Sequence, residues 1–588
     1  MNITLEQGTS HDSNMPSHSF PASAVQRQMR VVEKLHPGIG IYNEDASFWV
    51  DGPIDFQAFR AAWQRLVDRH EVLRYAMREE NDMRISMASH VDVLITQANV
   101  SDEESALEWG RDFAELPYDL AHAPLFRVGI ASFDATHHLL VIGFHHAIMD
   151  AASLGTLLAE FTLLYSAAKH AEHISLPTVE VAYSDYLREA NTPSMRQKMA
   201  TLAQEVAEQL TRDGGSTNAE IPPDHPRPRV RAGTGKVVEV QMPDDLLPRV
   251  REFAAGRRCT PFTVLLAGMV TLLRRHTQLD DMILGIGSAG RTSKYHDAVG
   301  PFASFLPMRF RLPESATFTT VMRVTAELID EIPAAQFAPF SDIVQAVEGG
   351  SRDPSRPPLV QVVFNAPPSE IAGDIIEGCT CSWALLPRTR ARVDLLVNLE
   401  HSLWGSRLTC EYDDTILDRE TITTLLTQLG TLIESGISHP YAEVDTLNLN
   451  PTSSESAKLL IGSSPHEHHG HIVDVENAWA KFSENDVLIA ASGAPSVLLP
   501  DGTPAAAGVQ GLLHVGGWPI PDVRVRQHRD GAIHVLFTSN DMDPENNLSE
   551  DAHGGAPITN HLVWLCRALL DNPAIGANDD FFAAGGHS

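Results

Sequence analysis

Cysteine is scarce in this chain: there are five in 588 residues, an odd number, with no CxxC spacing. That excludes a disulfide framework and a structural zinc site of the usual ligand spacing. Basic side chains are also few, 44 Lys and Arg against 76 Asp and Glu, for a net charge of −32. The resulting field repels phosphate backbones and anionic headgroups, so neither nucleic acid nor a membrane is an expected partner. Residues 1–14 are polar and lack a basic flank followed by an apolar core. No secretory or transit signal is read there, and a cytoplasmic location is expected. The apolar run His138-Leu-Leu-Val-Ile-Gly-Phe144 is too short for a membrane helix. What remains is an ordinary globular composition, 43% hydrophobic, whose length allows about three or four folding units.

The most informative stretch follows that run: His145-His146-Ala-Ile-Met-Asp150-Ala151. The run reads as a buried strand, so the histidines emerge where strand gives way to loop or helix and where a side chain can face a cleft. A helical pattern spans Leu154 to His170, and a second apolar strand, Asp281–Gly287, ends in Ser-Ala-Gly290-Arg291. The proline-rich stretch from Asp213 to Arg231 reads as an exposed loop. Cys379 and Cys381 alternate as two residues on one face of a strand do. Gly285-Ile-Gly287 with Gly290 lacks the helix and acidic residue of a nucleotide loop. Pro465-His-Glu-His-His-Gly-His471 holds metal-capable side chains in a polar linker without fixed geometry, so no metal is expected.

The histidine stretch resembles the HHxxxDG motif of nonribosomal peptide synthetase condensation domains, shared in shorter form by chloramphenicol acetyltransferase, with Ala151 in place of the glycine. Further segments resemble the family's other motifs in order. They are Ser23–Met29, Arg69–Arg74, Tyr183–Tyr186, Val299–Pro307 with Ser304 in place of the usual asparagine, Gln336–Phe340, Arg352–Leu359, and Asp394 with Glu400 and Glu411-Tyr412. The resemblance covers about residues 20–450 and implies an α/β (α+β sandwich) fold. Two chloramphenicol acetyltransferase-like subdomains, 1–175 and 176–450, would form a V-shaped pseudo-dimer with a tunnel at their junction.

At the other end, Asn578–Ser588 resembles the DNFFxLGGHS motif of peptidyl carrier proteins, with Ser588 matching the serine that accepts 4'-phosphopantetheine. Residues 556–588 are expected to be the N-terminal part of such a helical domain, truncated after its serine. Pro557–Leu570 would be the first helix, with Leu562, Leu565 and Leu569 at helical spacing. Between the two, 451–555 is expected to be a small β-rich linker. Ser496–Gly517 and Asp522–Val535 resemble parts of an adenylation domain, but phosphate-loop, YGPTE-like and YRTGD-like segments and the catalytic lysine are lacking. An unrelated small β domain remains the alternative.

The resemblance implies that His146 assists attack of an amine on an acyl or peptidyl thioester, as base or as positioning group. It also implies that Asp150 faces away from that ring and pairs with Arg291, and that His145 is mainly structural. Ser23 and Ser304 are tunnel candidates. Ala151 either costs stability at a positive φ or narrows the acceptor side. The expected partners are a donor carrier protein in trans, a separate adenylation enzyme and a phosphopantetheinyl transferase. An ester-forming or free-amine-accepting variant and a non-catalytic recruitment platform are the alternative readings.

Overall fold

The computed structural model describes residues 18–449 except 80–81, 215–216, 350–351, 367–373 and 403–404, together with six strands between residues 459 and 538. Residues 556–588, with Ser588, lie outside the described residues, as does Pro465–Gly470. Of the six strands, Ser496–Leu498, Gln510–Val515, Trp518–Gln527 and Ile533–Thr538 pair in that order as an antiparallel sheet.

Two α/β units carry the rest. In the first, the central strand His137–His145 lies between Asn43–Asp51 and Phe126–Ser132, antiparallel to both. Ile95–Asn99 completes one edge of this sheet. Both faces of the central strand are covered. Leu140, Ile142 and Phe144 join the main core of this unit, while Leu139 and Val141 pack with Trp109 and Phe113. Double burial is why the strand reads as a continuous apolar run rather than an alternating one.

The helix Ala151–Lys169 is 19 residues and apolar enough by length and composition to cross a bilayer. Here Leu157, Leu158, Phe161 and Leu164 are buried in the core of the first unit, and the helix packs on Phe56–Arg69. The second unit is built on a mixed sheet in the order Ser304–Arg311, Asp281–Ser288, Val362–Asn365, Leu395–Ser402, Gly405–Tyr412, Lys236–Gln241. The nearly all-buried helix Pro261–Thr277 supplies much of its core.

The boundary at 175/176 is corrected in one respect: the first unit recruits chain from beyond it. Thr380–Trp383 pairs antiparallel with Asn43–Asp51 and forms the other edge of the first sheet. Cys379 and Cys381 are buried in the core of the first unit, and Ala384 and Leu386 cover Leu139 and Val141. Tyr183, Leu187, Tyr295 and Phe302 join the same core.

The stretch 213–231 is corrected too, because it is not simply exposed. Ala219, Ile221 and Arg231 are buried, and Thr217–Asn218 pairs with Asp281–Ser288. Arg227 joins Glu220 and Asp394, and Arg231 lies 3.1 Å from Asp413. Arg227, set between two prolines, and Arg231 are drawn inward by buried carboxylates that cannot stay unpaired.

Candidate active site

Where the central strand ends at His145, the chain turns: Ile148 N donates to His145 O, and His146 N to Tyr42 O. Gln26, buried at the start of the helix Ala24–Leu35, donates from Nε2 to Ala147 O at 2.9 Å and pins the turn. His146 Nδ1 lies 2.9 Å from Met149 O. A carbonyl only accepts, so this contact assigns the proton to Nδ1 and leaves the lone pair on Nε2. His146 is half-buried on the wall of a cavity of about 520 Å³ lined by residues of both units.

His145 is fully buried and off that wall. Its Nδ1 accepts from Ala147 N at 3.1 Å, and its Nε2 lies 3.6 Å from Glu33, within ion-pair range but beyond a hydrogen bond. The rings of Tyr42 and Tyr118 flank it. Burial pushes its pKa below the ordinary histidine value.

Asp150 caps the helix Ala151–Lys169 by accepting from Ser153 N at 2.9 Å. It also receives both terminal nitrogens of Arg291, at 2.6 and 2.8 Å, and the backbone N–H groups of Phe302 and Ala303. Burial alone would raise its pKa; Arg291 and the Ser153 bonds outweigh burial and hold the carboxyl below its usual value. Among the described residues no hydrogen bond or ion pair joins Asp150 to either histidine.

Ala151 is the first helical residue and is not among the residues of positive φ. It therefore carries no positive-φ strain, and the residue lies on the cavity lining. Ser304 lies on that lining as well, paired in register with Ser288. Ser23 is corrected: it does not line the cavity. Its hydroxyl caps the helix Ala24–Leu35 by accepting from Gln26 N, and Tyr183 Oη sits 3.2 Å from it. A serine committed to capping and 1% exposed has nothing left for a substrate.

A group not singled out from sequence lies on the same wall. Glu44, on the strand beside the central one, reaches Arg392 at 2.7 Å and Arg388 at 3.3 Å. Arg388 also meets Asp45 and Glu411, and Arg392 N donates to Glu411. Burial would raise the Glu44 pKa, but Arg392, Arg388, His146 and Arg390 bring it down to about 2. The only local signal for this group is the alternation Arg388-Thr-Arg390-Ala-Arg392 in a chain short of basic residues.

A family model described as Condensation domain matches residues 17–460. Tyrocidine synthase 2 of Brevibacillus parabrevis is 25% identical over 475 residues, covering 80% of this chain and 13% of that protein. Bacitracin synthase 1 of Bacillus licheniformis is 26% identical over 413 residues, 68% of this chain and 8% of its own length. The chain thus spans a small part of these relatives. Among solved structures, the first condensation domain of the CDA synthetase matches with a TM-score of 0.65 at 16% identity, covering 74% of this chain and 100% of that one. The X-domain from teicoplanin biosynthesis matches at 0.62 and 17%, covering 74% and 99%. These likenesses show the fold.

Proposed function

The chain belongs to the condensation domain family, and from that premise we propose that its cavity joins an amine to a thioester-bound acyl or peptidyl group, forming an amide. The observation that carries this reading is His146, on a cavity wall shared by both units, with its Nδ1 proton committed to Met149 O and the Nε2 lone pair unspent among the described residues.

An amine attacks only in its neutral form, and a neutral imidazole is suited to take the proton released as attack proceeds. The new C–N bond forms at the thioester carbonyl carbon and the C–S bond breaks. The proton passes from the amine nitrogen to His146 Nε2 and then to the departing thiolate. Base assistance of this kind supplies about 10² to 10⁴ in rate, and holding two reactants end to end in the cavity supplies the rest. Asp150 takes no part in proton transfer; its bonds fasten the turn after His146 to Arg291 and to the backbone N–H groups of Phe302 and Ala303.

In this reading the two units are halves of a pseudo-dimer, and the working location is the cytoplasm. A donor carrier protein brings the acyl group in trans. Ser588 bears 4'-phosphopantetheine, attached by a phosphopantetheinyl transferase and charged by a separate adenylation enzyme. The test is condensation reconstituted with synthetic acyl and aminoacyl thioesters. His146→Ala is expected to lose about 10² to 10⁴ in kcat with an unchanged melting temperature; product formation at the parental rate would overturn the assignment. Coenzyme A with a broad phosphopantetheinyl transferase, read by intact-protein mass spectrometry, tests Ser588 separately.

A further inference from the structure

The sheet of the second unit turns one face to the cavity, and side chains alternate along each strand, so positions two apart share that face. Leu396, Asn398 and Glu400 line the cavity from one strand, and Arg407, Thr409 and Glu411 from the next. Across the strands, Asn365 stands in register with Asn398, and Asn398 with Thr409. Asn365 Nδ2 donates to Asn398 Oδ1 at 3.2 Å.

That single bond uses one N–H and one carbonyl oxygen of the pair. As oriented, or with both carboxamides turned together, one carbonyl oxygen and one NH₂ group remain, and neither has another protein partner among the described residues. Both asparagines are half-buried on the wall. Gly287, also on the wall, makes room for this arrangement, since a Cβ there would stand 2.3 Å from Asn365 Oδ1.

A free acceptor and a free donor on adjacent strands complement the N–H and the C=O that a secondary amide carries. We propose that Asn365 and Asn398 form an amide-reading pair that binds a secondary amide of the thioester substrate and so sets its depth in the cavity. This rests on the condensation reading and names the feature of the substrate that the wall recognises. The amide belongs either to the thiol arm or to the acyl chain.

The test is calorimetric binding of unreactive thioether probes to the full chain. One probe, N-acetyl-S-hexylcysteamine, carries its amide on the thiol side. A second, the methylene-inserted ketone analogue of the N-acetylglycine butyl thioester, carries it on the acyl side. Each is paired with an ester isostere in which oxygen replaces N–H. Asn365→Leu and Asn398→Leu are each expected to weaken one amide probe by about fivefold to tenfold, and the variant that removes the acceptor for the amide N–H is expected to weaken the ester, which has no N–H, by less than twofold. The probe that responds identifies which amide is read. Gly287→Ala, which displaces Asn365 without removing it, is expected to act in the same direction and serves if a leucine variant does not fold. Equal losses for amide and ester in both leucine variants, or no loss with either amide, would overturn the proposal. His146→Ala should bind the probes as the parent does while condensation slows by about 10² to 10⁴, so failure of the pair and failure of the catalytic reading are told apart.

Discussion

Arg291, just after the strand Asp281–Ser288 of the second unit, and Asp150 of the first form a two-pronged buried pair at 2.6 and 2.8 Å, and the carboxylate is further held by two backbone N–H groups of residues 302 and 303. The aspartate of the histidine motif is thus a joint between the two units.

From that joint, Asp150→Ala is expected to lower the unfolding free energy by about 3 to 5 kcal/mol, because Arg291 is left buried without its partner. Urea unfolding followed by circular dichroism measures it. A variant of parental stability that lacks activity would return Asp150 to the chemistry.

Glu44 leads to a pH prediction. Its folded pKa of about 2 lies below the ordinary 4.5, so the ionised form is favoured by folding. The stability it contributes is complete above about pH 4.5 and is lost as pH falls from there toward 2. Glu44→Gln should shallow the fall of the urea midpoint across that window; an identical pH profile would show that the cluster does not couple to folding.

Gly290 has φ +62°, and a Cβ there would meet Phe302 O at 2.1 Å. Gly290→Ala should therefore cost at least about 1 kcal/mol for the left-handed backbone. It should also push the 302–303 segment away from Asp150. The expected readout is a lower melting temperature with reduced condensation, and a variant matching the parent in both would refute it.

Ala151 sits in ordinary helical backbone on the cavity lining. Ala151→Gly is expected to change stability by no more than about 1 kcal/mol, while raising kcat/KM for bulky amines over small ones. A clear gain in melting temperature would instead point to relief of backbone strain.

Local features were legible in sequence because their signals are local. The run His138–Phe144 is the core of the strand His137–His145, and the pattern from Leu154 to His170 is the helix Ala151–Lys169 within three residues at the start and one at the end. Motif resemblance brought together His146, Asp150, Arg291 and Ser304. Illegible were partnerships made only by folding. Glu44 meets Arg388 across 344 positions, and Asn365 meets Asn398 through parallel register that no spacing encodes. Ser23 misled because a serine that starts a helix and a serine that lines a tunnel look alike in a motif. The stretch 213–231 misled because proline marks irregular backbone, which need not be exposed.

The strand Thr380–Trp383 carries a final consequence. A polypeptide ending near residue 175 would hold the histidine motif intact and still lack the outer rail of its sheet, leaving Asn43–Asp51 with bare N–H and C=O groups along one side. Such a fragment would be sticky rather than autonomous, prone to pairing edge to edge with its own copies. The two halves are in this sense woven rather than stacked. Exchange of halves between relatives, cut at the apparent boundary, would transplant a sheet without its hem, whereas a graft that carries residues 374–386 with the first half would keep it whole.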